Sequence, residues 1–323
     1  MKKKIELVNF SKIKTYPIRE RESKVKTGIF SKGLPKKGVD FKSFFHGLPD
    51  VLAVKDIKSV VDAIIAAKKN DKPVIFCMGA HVIKCGLSPI IISLMEQGIV
   101  SAIALNGAGS IHDFEVAFAG ATSEDVGASL EDGTFGMAEE TGSIINKSIS
   151  EGVKQGLGAG QSIGEKILKG DYKYRELSIL AKGIELGVPV TVHIAIGTDI
   201  IHQHPLCDGA ALGEASYTDF KIFTSVVSQL GDGGVIVNFG SAVIMPEVFL
   251  KALTICRNLG YQVKGFTTVD FDMIQHYRPS TNIVKRPVSM GGKGYSIRGH
   301  HEIMIPLLAQ AIVEEHESSF PRP

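Results

Sequence analysis

Short apolar runs alternate with longer stretches of helical period from Val39 almost to the end of the chain. Val74–Met78 is apolar at every position and follows Pro73, which predicts a strand buried on both faces with the imino residue where a missing N–H does least harm. Ser88–Gln97 predicts a helix capped by Ser88, with Pro89 at the first helical position and Gly98 just beyond the end. Further strands are predicted at Ala102–Leu105, Pro189–Ile194, Val235–Phe239 and Val263–Thr267. Helices are predicted at Ile57–Lys68, from about Asp113, within Thr134–Leu157, and at Tyr174–Leu186, Thr218–Leu230, Pro246–Leu259 and Glu302–Glu315. This alternation builds βαβ units, so the expected class is α/β, a doubly wound and mainly parallel sheet with helices on both faces. Ligands of such sheets bind beyond the carboxyl ends of the strands, where the strand order reverses.

Residues 1–37 break this pattern. They carry 12 basic against three acidic side chains, a net of +9, while the remaining 24 basic and 31 acidic residues leave the rest at −7. We read 1–37 as an extended basic arm and 38–323 as one α/β catalytic domain. The arm either meets an acidic partner or nucleic acid, or packs on its own acidic body or a sister subunit. The charge comes without interleaved aromatics or an RNA-binding signature, which favours packing and argues against nucleic acid. Met1–Lys4 is basic but no apolar stretch follows, and no apolar run reaches the ~20 residues that span a bilayer. Cys77, Cys85, Cys207 and Cys256 form no C-x-x-C pair, and a cytoplasmic protein with reduced thiols is expected.

Five loops at predicted strand ends carry candidate chemistry. Gly79-Ala80-His81 and Asn106-Gly107-Ala108-Gly109-Ser110 are small-residue turns whose backbone N–H groups suit a phosphate, or are simply tight turns. Gly197–Gly213 gathers His202, His204, Cys207 and Asp208, with Asp199 and His193 just upstream. These residue types ligate zinc, although the spacing fits no specific zinc motif, and a polar substrate pocket is the other reading. Asn238–Glu247 places Gly240 and Ser241 after a strand, and Thr267–His301 holds Asp270, Asp272, His276, Arg278, Lys285, Arg286 and Lys293, either as a functional segment or as a solvated crossover. Neither G-x-S-x-G nor G-x-x-x-x-G-K-[ST] occurs, which argues against a serine hydrolase elbow and P-loop NTP hydrolysis.

In their order, several of these segments resemble the deoxyhypusine synthase family. Gly38-Val39-Asp40-Phe41, Ile75–Val82, Asn106–Asp113, Gly187–Val190, Asp208-Gly209, Gly234–Gly240, Arg257-Asn258, Arg278-Pro279 and Ile305–Leu308 follow the family's sequence from about Gly38 to Ile312. The resemblance implies a Rossmann-like fold, NAD as cofactor, and a homotetramer with active sites at subunit contacts. It also implies transfer of an aminobutyl group from a polyamine such as spermidine through a lysine imine. Lys285, six residues after Pro279, is the match for the family's catalytic lysine, Lys293 is the competitor, and Asp113 is a further catalytic candidate. Gly79, Ala80, His81, Asn106, Gly107, Ala108, Gly109, Gly240, Ser241, Thr267 and Thr268 would contact the cofactor. Asp199, Asp208, Glu247, Asp270, Asp272 and His276 would hold a cationic substrate. The chain departs from the family where its His-His pair follows the Gly-rich strand, and the family's Ser-Asp-Ser-Gly segment is missing in that form.

Two other function classes stay open at this level. One is a metal-dependent hydrolase or lyase using His193, His202, His204 and Asp208. The other is a noncatalytic protein that binds a nucleotide or polyamine.

Overall fold

The computed structural model describes residues 5–33 and 37–319. Six strands form one sheet: β1 (Val74–Met78), β2 (Ala102–Asn106), β3 (Val190–His193), β4 (Val235–Phe239), β5 (Thr267–Asp272) and β6 (Lys293–Arg298). Their order is β3-β2-β1-β4-β5-β6, and every neighbouring pair is parallel. The fold is α/β and Rossmann-like, with the order reversing between β1 and β4.

The pleat of β1 explains its unbroken apolar run. Phe76 and Met78 enter a core with Phe239 and Phe271, while Ile75 and Cys77 enter a second core with Phe223, Phe249 and Phe266. Each face of the sheet is covered by helices, so no position of β1 meets water. At ~25 cal/mol per Å² of apolar surface removed from water, these two cores supply the main drive for folding.

Several boundaries differ from those expected. The helix after β2 starts at Gly107 rather than near Asp113, because the Asn106 side chain accepts from the Gly109 N–H and caps it. Leu87, not Ser88, precedes the helix Ser88–Glu96. The predicted helix Tyr174–Leu186 divides into a short turn, Arg175–Leu177, and a helix, Ile179–Leu186, whose cap is Ser178. A helix at Ala159–Lys169 was not anticipated. The predicted strand Val263–Thr267 is displaced, since β5 begins at Thr267, and part of the expected Thr267–His301 loop is the edge strand β6.

In the arm, Met1–Lys4 and Pro35 lie outside the described residues. Residues 5–33 make three single-turn helices and are tied to the body where Asp50 N–H donates to Ile29 O and Lys32 N–H donates to Gly47 O. Ile5, Leu7, Val8, Phe10 and Ile18 of this stretch are exposed in the single chain. Among the described residues no helix is long and apolar enough to cross a membrane.

Candidate functional site

All six strands point the same way, so their carboxyl ends share one rim. At the switch point, Gly79 N–H donates to Phe239 O, and a Cβ on Gly79 would come within 2.6 Å of the Gly240 carbonyl oxygen. The ends of β1 and β4 therefore run in backbone contact with no side chain between them. Gly240 has φ +65°, and the space its side chain would take is filled by His301, whose Nε2 lies 2.4 Å from that Cβ position. His81 is exposed nearby, its ring centroid 6.3 Å from that of His301. Ser241 anchors the next helix by accepting from Met245 N–H.

Beside this point, β4 and β5 bring together Asn238, Asp270 and Asp272. Asn238 Nδ2 donates to Asp270 Oδ1 at 2.8 Å, while Asn238 Oδ1 is buried with no partner in the protein. Burial pushes the Asp270 carboxyl up to about 6, the Asn238 bond opposes this, and the Asp272 charge adds to it. His276 Nε2 stands 3.9 Å from Asp272 Oδ2. Burial pulls His301 below the usual imidazole range, against the pull of Asp272, and His301 Nδ1 has no partner in the protein.

The segments that follow β1 and β2, together with the loop after β3, border a cavity of about 610 Å³. Its wall carries Glu115, Glu124, Glu140 and Asp199 against a single lysine, Lys84, and His112. Asp199 sits at the start of the helix Gly107–Ala119. A Cβ on Gly107 would fall 2.0 Å from Asp199 Oδ2, so only glycine admits the carboxylate here, and the Ala108 N–H points at it. Burial raises the Asp199 carboxyl to about 6, with the Ala108 N–H and His112 pulling the other way. Behind it, His202 Nδ1 accepts from the N–H groups of Gly197 and Asp199. The neutral ring must then carry its proton on Nε2, which lies 4.0 Å from Asp199 Oδ2.

This geometry uses up the anion cradle expected at Asn106–Gly109. The Gly109 N–H is taken by Asn106 and the Ala108 N–H is directed at Asp199. A carboxylate of the chain itself answers the helix dipole there.

The other anticipated residues disperse. Asp113 is wholly buried and accepts from Ser178 Oγ and from the N–H groups of Ile179 and Leu180, so it latches one helix to another and has no face on the rim. Thr267 and Thr268 open β5 and pair with Lys293 and Gly294 at the start of β6, which places them and Lys293 toward the opposite end of the sheet. Lys285 is exposed at the end of the short helix Pro279–Lys285; the preceding Val284 lies against Gly294, again toward that end. Glu247 is engaged by Lys251, Arg278 and Asn282.

The suggested metal ligands do not converge. His193 is buried against Phe223 and bonded to Thr191, His204 meets Glu139 at 3.3 Å, and Asp208 caps the helix Gly209–Val227. No group of three or more His, Cys, Asp or Glu side chains among the described residues is arranged to hold a metal ion.

Sequence reasoning singled out neither Lys84 nor the set His112, Glu115, Thr122 and Thr141. Thr122 Oγ1 donates to Glu115 Oε2, Thr141 Oγ1 donates to Glu115 Oε1 at 3.1 Å, and His112 Nδ1 meets Thr122 Oγ1 at 2.6 Å. The signal was present: His112 and Glu115 are three apart and share a helix face once the helix is started at Gly107.

No protein-family model matches the chain, and no curated protein matches it in sequence. Solved structures do match in fold. ArgZ, an arginine dihydrolase from the ornithine–ammonia cycle in cyanobacteria, aligns at TM-score 0.50 and 14% identity, covering 83% of this chain and 32% of that one. AgrE, in a ternary complex with ornithine and NAD+, aligns at 0.53 and 13%, covering 82% and 33%. A protein from Entamoeba histolytica, assigned provisionally as a deoxyhypusine synthase, aligns at 0.50 and 10%, covering 87% and 96%. The chain thus spans about a third of the length of ArgZ and AgrE. An LOR/SDH protein from Methanococcus maripaludis aligns at 0.50 and 15%, covering 82% and 71%, and at these identities every one of these likenesses is one of fold.

Proposed function

We propose that this protein is an NAD-dependent enzyme acting on a cationic amine. The observation that carries this reading is the carboxylate-rich cavity beside the switch point, with Glu115, Glu124, Glu140 and Asp199 on its wall against one lysine. A substrate ammonium group needs anions around it, and a partly desolvated carboxylate binds it more strongly than one in water. AgrE, which shares the fold, has been captured with ornithine, a cationic amine, and NAD+ together.

NAD would bind at the neighbouring switch point, a reading supported by the strand reversal there and by the buried Asn238 Oδ1 and His301 Nδ1, which lack partners in the protein. Gly79, Ala80, Gly240 and Ser241 would hold the dinucleotide, which when bound supplies a hydride acceptor. Asp199 would orient the ammonium group, and the half-enclosed cavity would limit water.

Aminoalkyl transfer from a polyamine through a lysine imine is the finer form of the proposal. Lys84 is the lysine on this cavity wall, so it takes precedence over Lys285 and Lys293 within one chain. Self-association, up to the tetramer implied by the resemblance, belongs to the same proposal and is supported by the apolar side chains the arm exposes.

The test is NADH formation with NAD and a panel of diamines, polyamines and basic amino acids. Turnover with at least one cationic amine, lost in Asp199→Asn, is expected. Absence of turnover with every amine, while a neutral alcohol or acid is oxidised, contradicts the reading.

A further inference from the structure

We infer that His112 is the proton acceptor of this cavity, held with its Nε2 bare by a relay from Glu115 through Thr122. The inference rests on the amine reading for its chemistry but not for its geometry. Hydrogen bonds hold Glu115 below the usual carboxylate range against its burial, so it is ionised and can only accept. Thr122 has one proton and gives it to Glu115 Oε2. The 2.6 Å contact between His112 Nδ1 and Thr122 Oγ1 must then be an N–H donating to oxygen. In the neutral ring the remaining nitrogen, Nε2, keeps its lone pair, and it makes no hydrogen bond among the described residues.

Other bases on the wall are less available. Both Glu115 oxygens already accept, from Thr122 and Thr141, and Asp199 answers the start of the helix Gly107–Ala119 through the Ala108 N–H. The charged groups on the same cavity wall are Lys84, Glu115, Glu124, Glu140 and Asp199.

The step is a proton transfer. An alkylammonium group has no lone pair and cannot release hydride from its neighbouring carbon. Its N–H bond breaks, the proton joins His112 Nε2, and a neutral amine and an imidazolium result. Only the neutral amine carries the lone pair that hydride removal would require were NAD bound. His112 touches the substrate in this scheme, whereas Thr122 and Glu115 act through it as positioning residues.

The experiment uses the full chain, labelled with ¹⁵N at histidine, as wild type, Thr122→Val and Glu115→Gln. At neutral pH the wild-type His112 ring should show the proton on Nδ1, the less common form of a neutral histidine. At least one variant should move it to Nε2. In parallel, diethyl pyrocarbonate, which acylates an unprotonated imidazole nitrogen with loss of ethanol and carbon dioxide, should modify His112 in wild type, and His112→Asn should show no added mass there.

A wild-type proton on Nε2 overturns the inference. So does an unchanged tautomer in both variants, or an unmodified His112 under conditions that modify the exposed His46. None of these readings requires NAD or an amine, so a failure of the cofactor proposal is distinguishable from a failure of this one.

Discussion

Four aspartates of this chain are perturbed alike and used differently. Burial raises the carboxyls of Asp113, Asp199 and Asp270 to about 6 and that of Asp219 to about 7. Asp113 and Asp219 spend their oxygens on backbone: Asp113 on Ile179 and Leu180 together with the Ser178 hydroxyl, and Asp219 on Gly160 and Val192. Each ties one helix to the start of another, Asp219 adding a bond to β3. Asp199 and Asp270 instead lie on the sheet's carboxyl rim, beside polar atoms that have no partner in the protein: Asp199's own Oδ2, and Asn238 Oδ1. The shift in acidity marks desolvation only. Hydrogen-bond accounting is what separates a structural carboxylate from one offered to a ligand.

The largest expected effect tests the structural pair. Asp113→Ala and Asp219→Ala each strand at least two buried N–H groups, at about 1–3 kcal/mol per group. Urea unfolding should show a loss of about 3 kcal/mol or more for each. A loss under ~1 kcal/mol would place these residues with Asp199. Asp199→Asn is expected to behave oppositely. Asparagine caps a turn as well as aspartate, so stability should stay within about 1 kcal/mol. Amine-linked NADH formation should fall at least about tenfold, because the charge facing the ammonium group is gone.

A pH series sharpens the same contrast. Asp219 has a folded pKa of about 7, above its unfolded value of ~3.9, so the folded state binds more protons between these limits. Its contribution is complete below about pH 4 and is lost as pH rises through about 7. The stability of wild type relative to Asp219→Asn should therefore decline from pH 4 to pH 8. A flat difference would mean that Asp219 titrates normally. The smallest effects belong to the far end of the sheet. Lys285→Ala and Lys293→Ala remove exposed side chains away from the rim and should change stability by no more than about 0.5 kcal/mol, with NAD-induced stabilisation unchanged.

The fold was more legible than the site, for physical reasons. β1 and β4 are buried on both faces and can be read to the residue: β1 is apolar at all five positions and β4 at every position but Asn238, as a double-sided core asks. β6 reads KGYSIR, with one buried position, and an edge strand of that kind has no period a sequence can display. The start of the helix at Gly107 was hidden because its first turn consists of small residues, and their smallness serves the approach of Asp199 rather than a phosphate. Asp199, Asp270 and Asp272 could be named from their loops. The relay of His112, Thr122 and Glu115 could not, since Thr122 returns to the helix only through the turn after Ala119. Lys285 drew attention by its distance from Pro279, and the path of the short helix carries it away from the rim.

The most direct test of the claim that the rim is a dinucleotide site is thermal unfolding of the full chain with and without NAD at ~100 times any plausible dissociation constant. Binding to the folded state alone should add about 2.7 kcal/mol, seen as a clear rise in melting temperature. That rise should persist in Asp199→Asn, whose defect lies in the amine cavity. No rise in the wild-type protein would contradict NAD as the cofactor, and with it the proposed reaction, while leaving the fold as described.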